Sequence, residues 1–347
     1  MSWAPKPIRR ALLRWYDVHA RSLPWRETRD PYAIWVSEIM CQQTRVATVV
    51  PYYQKFLARF PTPAALAGAT EDEVLAMWSG LGYYRRARLL HRGMKEVVDK
   101  HGGEVPASYE DRLALPGIGR YTAGAIGSIA FAAEEPVVDG NVSRVLSRIR
   151  RIETPLGRSD TEKALWAAAG ELVVGPRPGD LNQSIMELGA LVCTPRSPSC
   201  GDCPVRTHCA GRDIAATLPV PRKKTKVRKV AMVAVVPTRS RPDRVWLTRG
   251  AKALFGGLWS VPMVEGNNVK SARDALAQQE IRGRLRTESC GELTHVLSHR
   301  ELHVRVFRAT STLATPRADL ALVERGELTK DRGVSKLTLR ILDLAFG

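Results

Sequence analysis

Cysteine is the first residue type in this sequence whose spacing points to chemistry. Four of the six cysteines fall within 17 residues in the pattern C-x6-C-x2-C-x5-C, namely Cys193, Cys200, Cys203 and Cys209. Without an export signal, such a density indicates a metal site rather than disulfides. Four thiolates suit a tetrahedral zinc ion or a [4Fe–4S] cluster. Zinc sites usually combine two short C-x2-C hooks, and this sequence has one, so we favour the cluster over zinc and over unligated buried thiols.

A turn containing two glycines is the second candidate for chemistry. In residues 115–120 (LPGIGR), Gly117 and Gly119 permit a tight turn and a close backbone approach. The helix expected to follow would direct backbone N–H groups outward, which suits a phosphate. Glycine turns between packed helices are common, so this turn alone is a moderate signal.

The charge of the chain points to an anionic partner. Its 347 residues include 53 Lys and Arg against 35 Asp and Glu, for a formal net charge of +18. That excess favours nucleic acid or a membrane surface. Apolar runs have the length of strands, which excludes a spanning helix. Arginines interrupt residues 1–21, so we expect an amphipathic first helix there rather than a secretory or transit peptide, with Ile8, Leu12, Trp15 and Val18 on its apolar face.

Apolar periodicity divides the chain into two folded parts. From residue 7 to about 191 the pattern is helical, and Asp30-Pro31 predicts the start of a helix that continues through Arg45. Residues 222–229, six of which are Lys or Arg, indicate an exposed linker that attracts phosphates, or simply a solvated tether. The remainder predicts an α+β domain with strands at 230–236, 244–248, 259–264 and 303–307 and helices near 270–279 and 336–344.

Several segments together resemble one superfamily, the helix-hairpin-helix DNA glycosylases that include endonuclease III. They are the turn at 115–120, residues 138–144 (VDGNVSR) and the cysteine cluster. Within the superfamily, further segments are similar to the MutY family of adenine DNA glycosylases, which remove adenine mispaired with 8-oxoguanine. Those segments are residues 23–26 (LPWR), 37–46 (SEIMCQQTRV) and 78–84 (WSGLGYY).

The resemblance covers nearly the whole chain and implies its fold and activity. We expect an all-α helix-hairpin-helix glycosylase domain with a [4Fe–4S] cluster loop, followed by an α+β Nudix-like domain. The expected bounds are 1–212 for the catalytic region (a six-helix barrel plus the iron–sulfur domain), 213–229 for the basic linker and 230–347 for lesion recognition. The implied function is a monofunctional glycosylase of base excision repair that hydrolyses the N-glycosidic bond of adenine opposite 8-oxoguanine or guanine.

Two carboxylates are implied as the catalytic pair, in the manner of glycosidases. The resemblance points to Glu38 as the acid that protonates adenine, and its apolar neighbours would raise its pKa. Asp139 is implied to stabilise or capture the cationic sugar, supported by Asn141 and Tyr121. Judged without the resemblance, Glu38 could equally be a solvent-facing helix residue and Asp139 a helix N-cap.

The residue after Arg120 separates two kinds of chemistry. Endonuclease III-like enzymes carry a lysine there, whose amine forms a Schiff base with the sugar before strand cleavage. This chain has Tyr121, and a phenol cannot form an imine. The sequence therefore predicts base removal without efficient strand cleavage.

The resemblance also implies which side chains contact the bases, since a flipped adenine leaves a gap beside its partner. The adenine pocket is expected to contain Trp25, Arg26 and Gln183. Contacts to the lesion, the gap and the backbone are expected from Gln43, Thr44, Leu81, Tyr83, Gly117, Gly119 and Ser298.

The C-terminal part resembles a Nudix-like domain without the hydrolytic machinery. Residues 254–262 (LFGGLWSVP) are similar to the start of that domain in the MutY family, but residues 272–280 lack the expected set of metal-binding glutamates. Residues 295–299 (HVLSH) are similar to a segment whose serine, here Ser298, contacts 8-oxoguanine. Leu297 stands where a phenylalanine is usual. The domain is therefore expected to bind rather than hydrolyse.

The expected partner is double-stranded DNA with A:8-oxoguanine or A:G mispairs, bound by a monomer in a bacterial cytoplasm and not at a membrane. Two other functions stay open at this point. One is a bifunctional endonuclease III-like glycosylase and lyase on oxidised pyrimidines, which Tyr121 and the additional domain disfavour. The other is a non-catalytic, metal-stabilised DNA-binding protein, which would leave the Glu38 and Asp139 segments without a role.

Overall fold

The structure is a computed structural model that describes residues 3–222, 227–239, 243–249, 256–297 and 299–347. The chain forms two compact units. The first comprises Met1–Gly68 and Leu89–Lys223, and the second comprises Ala69–Arg88 and Lys224–Gly347. The segment 69–88 thus belongs with the C-terminal residues although it lies within the helical part of the sequence. The domain bounds expected at 212 and 229 stay a prediction.

Helices make up the first unit, and its described residues contain no strand. This confirms the all-α prediction for that part of the chain. In chain order, the helices before the sheet are α1 (Pro5–His19), α2 (Pro31–Cys41), α3 (Val46–Arg59), α4 (Pro63–Ala67), α5 (Glu71–Met77), α6 (Arg85–His101), α7 (Tyr109–Ala114), α8 (Arg120–Ala130), α9 (Gly140–Arg150), α10 (Ser159–Val173) and α11 (Pro178–Leu191). Of these, α5 and the first turn of α6 belong to the second unit.

The helix predicted from Asp30-Pro31 begins as expected and ends earlier. The Asp30 carboxylate accepts hydrogen bonds from the backbone N–H groups of Tyr32 and Ala33, which caps α2. The helix stops at Cys41 and does not reach Arg45, because Gln43 adopts a left-handed conformation with φ 56° that breaks the helical path. In α1 the apolar face contains Ile8, Leu12, Trp15 and Tyr16, and the expectation for Val18 is wrong, since it is 78% exposed.

Close backbone approaches determine where α8 lies. Gly117, in the turn between α7 and α8, has φ 83°, and a Cβ there would lie 2.7 Å from the Cβ of Leu89. Gly124, inside α8, lies against the backbone carbonyl of Pro136, and a Cβ at this position would collide with that oxygen. Pro136 stands three residues before Asp139, so this contact positions the segment that leads to Asp139.

A mixed sheet forms the centre of the second unit. Its strands are β1 (Arg228–Thr238), β2 (Arg244–Arg249), β3 (Trp259–Ser260), β4 (Met263–Glu265), β5 (Arg282–Leu285), β6 (Gly291–Val296), β7 (Arg300–Leu313) and β8 (Leu320–Glu324), with helices α12 (Val269–Ala277) and α13 (Lys336–Phe346). The main strand order is β3-β2-β1-β7-β5, while β4 also pairs with β1, β6 with β7 and β8 with β2. The β1–β7 pair is parallel and joins Arg228 to Arg300 and Thr238 to Thr310.

Alternating side chains of β1 supply both faces of this sheet. Ala234 and Val236 pack with α13, and Val233 and Val235 pack with α12, so each face has its own apolar core. The predicted α+β composition is confirmed. The strand predicted at 259–264 is interrupted between β3 and β4. Strands β5 and β6 were not predicted because most of their residues are polar or glycine, and β8 was not predicted because its apolar run is only four residues long.

No helix in the described part of the chain is both long enough and apolar enough to cross a membrane.

The Gly124 contact generates a stability prediction. Gly124→Ala should lower the free energy of unfolding of the helical unit by about 2 kcal/mol, because the added methyl group meets backbone that cannot move aside as a side chain could. The measurement is chemical denaturation followed by far-UV circular dichroism.

Gly170→Ala is the matched control for that change. Gly170 lies in α10 with open space where a Cβ would stand, so alanine should leave the stability unchanged or raise it by up to about 1 kcal/mol. Equal effects of the two substitutions would contradict the close approach at Gly124.

Candidate active site

Glu38 is a buried carboxyl on α2. It is 9% exposed and lies among fully buried apolar neighbours, including Trp35 and Ile34. The Tyr121 hydroxyl at the start of α8 donates a hydrogen bond of 2.7 Å to its Oε2. Burial raises the pKa of Glu38 to about 7, with a further rise from the charge of Asp139 and an opposing effect of the Tyr121 hydrogen bond. Glu38 can therefore carry a proton near neutral pH.

Asp139 is the N-cap of α9. Its Oδ1 accepts from the backbone N–H of Val142 at 2.7 Å, and its Oδ2 accepts from the amide of Asn141 at 3.2 Å. Burial raises the pKa of Asp139, while the hydrogen bonds from Val142 and Asn141 act against that rise by favouring the ionised form. The positive end of the α9 dipole acts in the same direction as these donors. The carboxylate that the resemblance implies to be catalytic is therefore also the N-cap of α9.

Tyr121 differs from its expected role. The resemblance implied that it supports Asp139, but its hydroxyl contacts Glu38 and, at 3.4 Å, the sulfur of Met186. The physical reason is the direction of α8: it begins at Arg120 beside α2, while the oxygens of Asp139 are taken by the first turn of α9. Burial raises the pKa of Tyr121 well above its usual value, so the phenol stays a proton donor in the hydrogen bond.

Arg144 connects the Asp139 cap to the cysteine loop, a role that the sequence did not suggest. Its guanidinium donates to Asn141 Oδ1 at 2.9 Å, to the Gly189 carbonyl at 2.7 Å and to the Cys193 carbonyl at 2.8 Å. Asn141 in turn donates to Asp139. Arg144 is the last residue of the VDGNVSR segment and lies one turn of α9 after Asn141. This helical spacing is the signal in the sequence from which their contact could be predicted.

The expected adenine pocket is brought together in the first unit. Trp25 and Gln183 are buried, and Arg26 Nε donates to Gln183 Oε1 at 3.2 Å. The Trp25 ring meets the Tyr53 ring edge to face at 5.3 Å. Of these three residues, Arg26 is also close enough to Glu38 for its positive charge to lower the pKa of that carboxyl.

Glu187, on α11, is a buried acid that the sequence does not reveal. Its side chain is 1% exposed and pairs with Arg21 at 2.7 Å and Arg26 at 2.9 Å. Burial favours the neutral acid, yet the hydrogen bonds from these arginines outweigh it and lower the pKa of Glu187 to about 2. The signal available in the sequence was its i, i+4 spacing from Gln183 on α11.

The glycine turn at 115–120 has the geometry expected of a phosphate cradle. Gly119 is the N-cap residue of α8, and no atom lies within 4 Å of the position where a Cβ would stand. The open space leaves the N–H groups of the first turn of α8 accessible to an anion. Arg120, the first residue of α8, is exposed, with its guanidinium 3.8 Å from the centre of the Trp166 ring.

The residues expected to contact the lesion fall in both units. Gln43 is exposed and Thr44 half-buried in the turn after α2. In the second unit, Tyr83 is 50% exposed with φ 49°, whereas Leu81 is only 6% exposed. Of the two expected wedges, Tyr83 is thus the one presented at the surface of its unit, because the turn around Leu81 folds that side chain inward. Ser298, residues 254–255 and residues 223–226 of the basic linker lie outside the described residues.

All four cysteines of the cluster line one cavity, together with Arg148, Arg206 and Arg212. Arg148 is 1% exposed and donates to the Cys193 sulfur at 3.2 Å and to the Thr194 carbonyl at 2.8 Å. Such arginines offset the negative charge that four thiolates bring.

This lining fits a cluster, because four cysteine thiolates are the ligand set of a [4Fe–4S] cluster. Burial and the neighbouring cysteines raise the pKa of Cys203 to about 11, against a backbone hydrogen bond that lowers it. The thiols consequently need a cationic group to become thiolates. Four thiolates would leave such a cluster no open position for a substrate.

Three family descriptions match successive parts of the chain. Residues 36–170 match the HhH-GPD superfamily of base excision DNA repair proteins, residues 193–209 the iron–sulfur binding domain of endonuclease III, and residues 233–344 the NUDIX domain. The second match covers the four cysteines and confirms the predicted [4Fe–4S] cofactor. The first and third confirm a helix-hairpin-helix glycosylase fold followed by a Nudix-like domain.

Solved structures support the fold of the helical part. A thermostable thymine-DNA glycosylase has a TM-score of 0.54 and 30% identity, over 60% of this chain and 97% of that chain. A trapped endonuclease III–DNA covalent intermediate has a TM-score of 0.50 and 23% identity, with the same coverage, and shows the fold alone.

Curated relatives identify the family. The adenine DNA glycosylase of Rattus norvegicus is 51% identical over 58% of this chain, but the match spans only 41% of that longer protein. The adenine DNA glycosylase of Buchnera aphidicola subsp. Schizaphis graminum is 32% identical over 84% of this chain and 84% of its own length. Because this match covers 84% of both proteins, the chain belongs to the adenine DNA glycosylase family.

Proposed function

We propose that this protein is a monofunctional adenine DNA glycosylase of base excision repair that removes adenine opposite 8-oxoguanine or guanine in duplex DNA. The observation that carries the proposal is a pair of carboxyls with different environments, in which Glu38 is buried and Asp139 is half-buried. Glu38 has a pKa raised to about 7, and Asp139 accepts hydrogen bonds from a helix N-terminus and an amide. Such a difference assigns acid and base roles within a pair of carboxylates.

The chemistry follows from that pair. Adenine is a poor leaving group, and Glu38 would donate a proton to its N7 as the N-glycosidic bond breaks. The sugar becomes a cation, which the Asp139 carboxylate stabilises. Water then adds to the sugar carbon, and its proton returns Glu38 to the acid form. The products are free adenine and an abasic site, and every step uses groups of the first unit.

Access to these groups requires the adenine to leave the duplex. The open N-terminus of α8 at Gly119 and the exposed Arg120 would hold a backbone phosphate, which positions the strand without reading its sequence. Trp25, Arg26 and Gln183 would hold the flipped base. Since all of these groups come from one chain, we take the acting species to be a monomer on double-stranded DNA.

A bifunctional, endonuclease III-like activity is less well supported. It needs an amine at the position of Tyr121, and this phenol is buried and hydrogen-bonded to Glu38. The A:8-oxoguanine preference is proposed through the Nudix-like domain and Ser298, whose contacts lie outside the described residues.

Strand scission tests the proposal. With labelled duplexes containing A opposite 8-oxoguanine, A opposite G, or thymine glycol, we expect the adenine strand to be cut only after hot alkali, because base removal leaves an alkali-labile abasic site. Borohydride should trap no covalent enzyme–DNA product. Activity confined to thymine glycol, or efficient trapping, would overturn the proposed function.

Glu38→Gln tests the assignment of the acid. The amide cannot donate the required proton, so the single-turnover rate of adenine removal should fall by about 10²–10⁴-fold while DNA binding is retained. Glu153→Gln, at an exposed surface pair with Arg151, is the matched control and should behave as wild type. Retained turnover in Glu38→Gln would exclude Glu38 as the acid.

The pH profile tests the Tyr121 contact. Only the protonated form of Glu38 is active in the proposed step, so the single-turnover rate should be highest below about pH 7 and fall as the pH rises through the pKa of Glu38. The Tyr121 hydroxyl lowers that pKa by stabilising the carboxylate. Tyr121→Phe should therefore move the descending limb to higher pH.

Tyr109→Phe, at the start of α7, is the control for the loss of a phenol hydroxyl. It should leave the profile in place. If the descending limb of the pH profile moves to lower pH in Tyr121→Phe, the hydroxyl raises the pKa of Glu38 instead of lowering it, and the prediction is wrong.

A further inference from the structure

The segment 69–88 is the least expected part of the fold. By sequence it lies between α4 and the rest of α6, yet it packs as part of the unit that contains the Nudix-like sheet. It carries the turn from Gly80 to Tyr84, where Tyr83 is 50% exposed and has a left-handed backbone with φ 49°. A bulky residue in that conformation requires support from its surroundings.

A cluster of charged side chains attaches the beginning of the segment to the sheet. Arg249, at the end of β2, donates to Asp72 Oδ2 at 2.9 Å and to Glu71 Oε1 at 3.2 Å. Arg88, at the end of the segment, donates to the same Glu71 oxygen at 3.1 Å. We name these four residues, Glu71, Asp72, Arg88 and Arg249, the arginine clamp. Arg88 and Glu71 connect the two ends of the segment to each other, and Arg249 connects them to β2.

Arg249 is held in place from its other side. Its Nε donates to the Gly257 carbonyl at 2.8 Å, and its side chain is 24% exposed. Because the guanidinium is planar and partly buried, contacts to two carboxylates and a carbonyl define its orientation. The clamp is therefore stiffer than a surface ion pair, whose net contribution is usually small.

The middle of the segment has its own attachment to the same unit. The Tyr84 hydroxyl donates to the Val334 carbonyl at 3.1 Å and accepts from the Gly80 N–H at 3.3 Å. At the end of α5, Leu75 approaches Gly333 so closely that a Cβ there would lie 2.6 Å from the Cβ of Leu75. The turn that presents Tyr83 is thus fixed on both sides by residues of the C-terminal part.

We propose that Arg249 is a positioning residue for the Tyr83 turn, through which the C-terminal unit orders the side chain that enters the gap left by the flipped adenine. This inference rests on the proposed function. If the turn is ordered before DNA binds, the entropy of fixing Tyr83 is not lost during capture of the mismatch. Loss of the clamp would then weaken capture and leave the bond-breaking step in the first unit unchanged.

The experiment is a double-mutant cycle between Arg249 and Tyr83 on a duplex with A opposite 8-oxoguanine. Arg249→Ala should lower kcat/KM by about tenfold, while the single-turnover rate at saturating enzyme stays within about twofold of wild type. In a Tyr83→Ala background, the same substitution should have almost no further effect, because the side chain that it positions is absent.

Arg244→Ala is the matched control. Arg244 lies on the same strand and pairs with Glu324 at an exposed site, so its loss should leave kcat/KM unchanged. Hydrogen exchange of residues 78–84 in the free protein gives a readout independent of activity, and it should be faster in Arg249→Ala than in wild type or Arg244→Ala.

The outcomes distinguish the two proposals. If wild type removes adenine but Arg249→Ala matches Arg244→Ala, or if its loss of kcat/KM is undiminished in the Tyr83→Ala background, the positioning role is wrong and the proposed function stands. If wild type does not remove adenine from the duplex, the proposed function fails and the inference that rests on it falls as well.

Discussion

Burial of the Glu38 carboxyl is the constraint on which the rest of the first unit depends. Removing a carboxyl from water is unfavourable unless it is neutral or hydrogen-bonded, and here both conditions contribute, since the pKa rises to about 7 and the Tyr121 hydroxyl is in contact. The contact requires α2 and α8 to meet at a fixed position. The close approach of Gly124 to Pro136 also holds α8 against the segment that ends at Asp139.

Helix N-termini serve structure and proposed chemistry at once. Asp139 caps α9 and faces the site with the same carboxylate, and Gly119 caps α8 while leaving its first N–H groups open to an anion. An N-cap role and the proposed catalytic role of Asp139 are compatible. The hydrogen bonds that cap the helix also stabilise the negative charge of the carboxylate, and the proposed sugar cation requires that charge.

Some arginines of this chain do not face solvent. Arg112 and Arg148 are 0% and 1% exposed, and their guanidinium groups donate to carbonyls, to Glu135 and to the Cys193 sulfur. Arg26 pairs with Glu187 in the proposed base pocket. The net charge of +18 still favours a polyanion, but it combines two populations of arginine: those that organise loops and sites inside the protein and exposed ones, such as Arg120, that can meet phosphates.

The sequence by itself determined the two-part architecture and the cofactor, because these depend on local spacing: apolar periodicity and four cysteines within 17 residues. It indicated the candidate carboxylates only through the resemblance of short motifs to a known family. It could not show that Glu187 is buried between two arginines, that Tyr121 contacts Glu38 rather than Asp139, or that Leu81 faces inward. Nor could it show that segment 69–88 packs with the C-terminal sheet. Each of these depends on partners that are distant in sequence, and their distances and burial exist only after the helices and the sheet have packed.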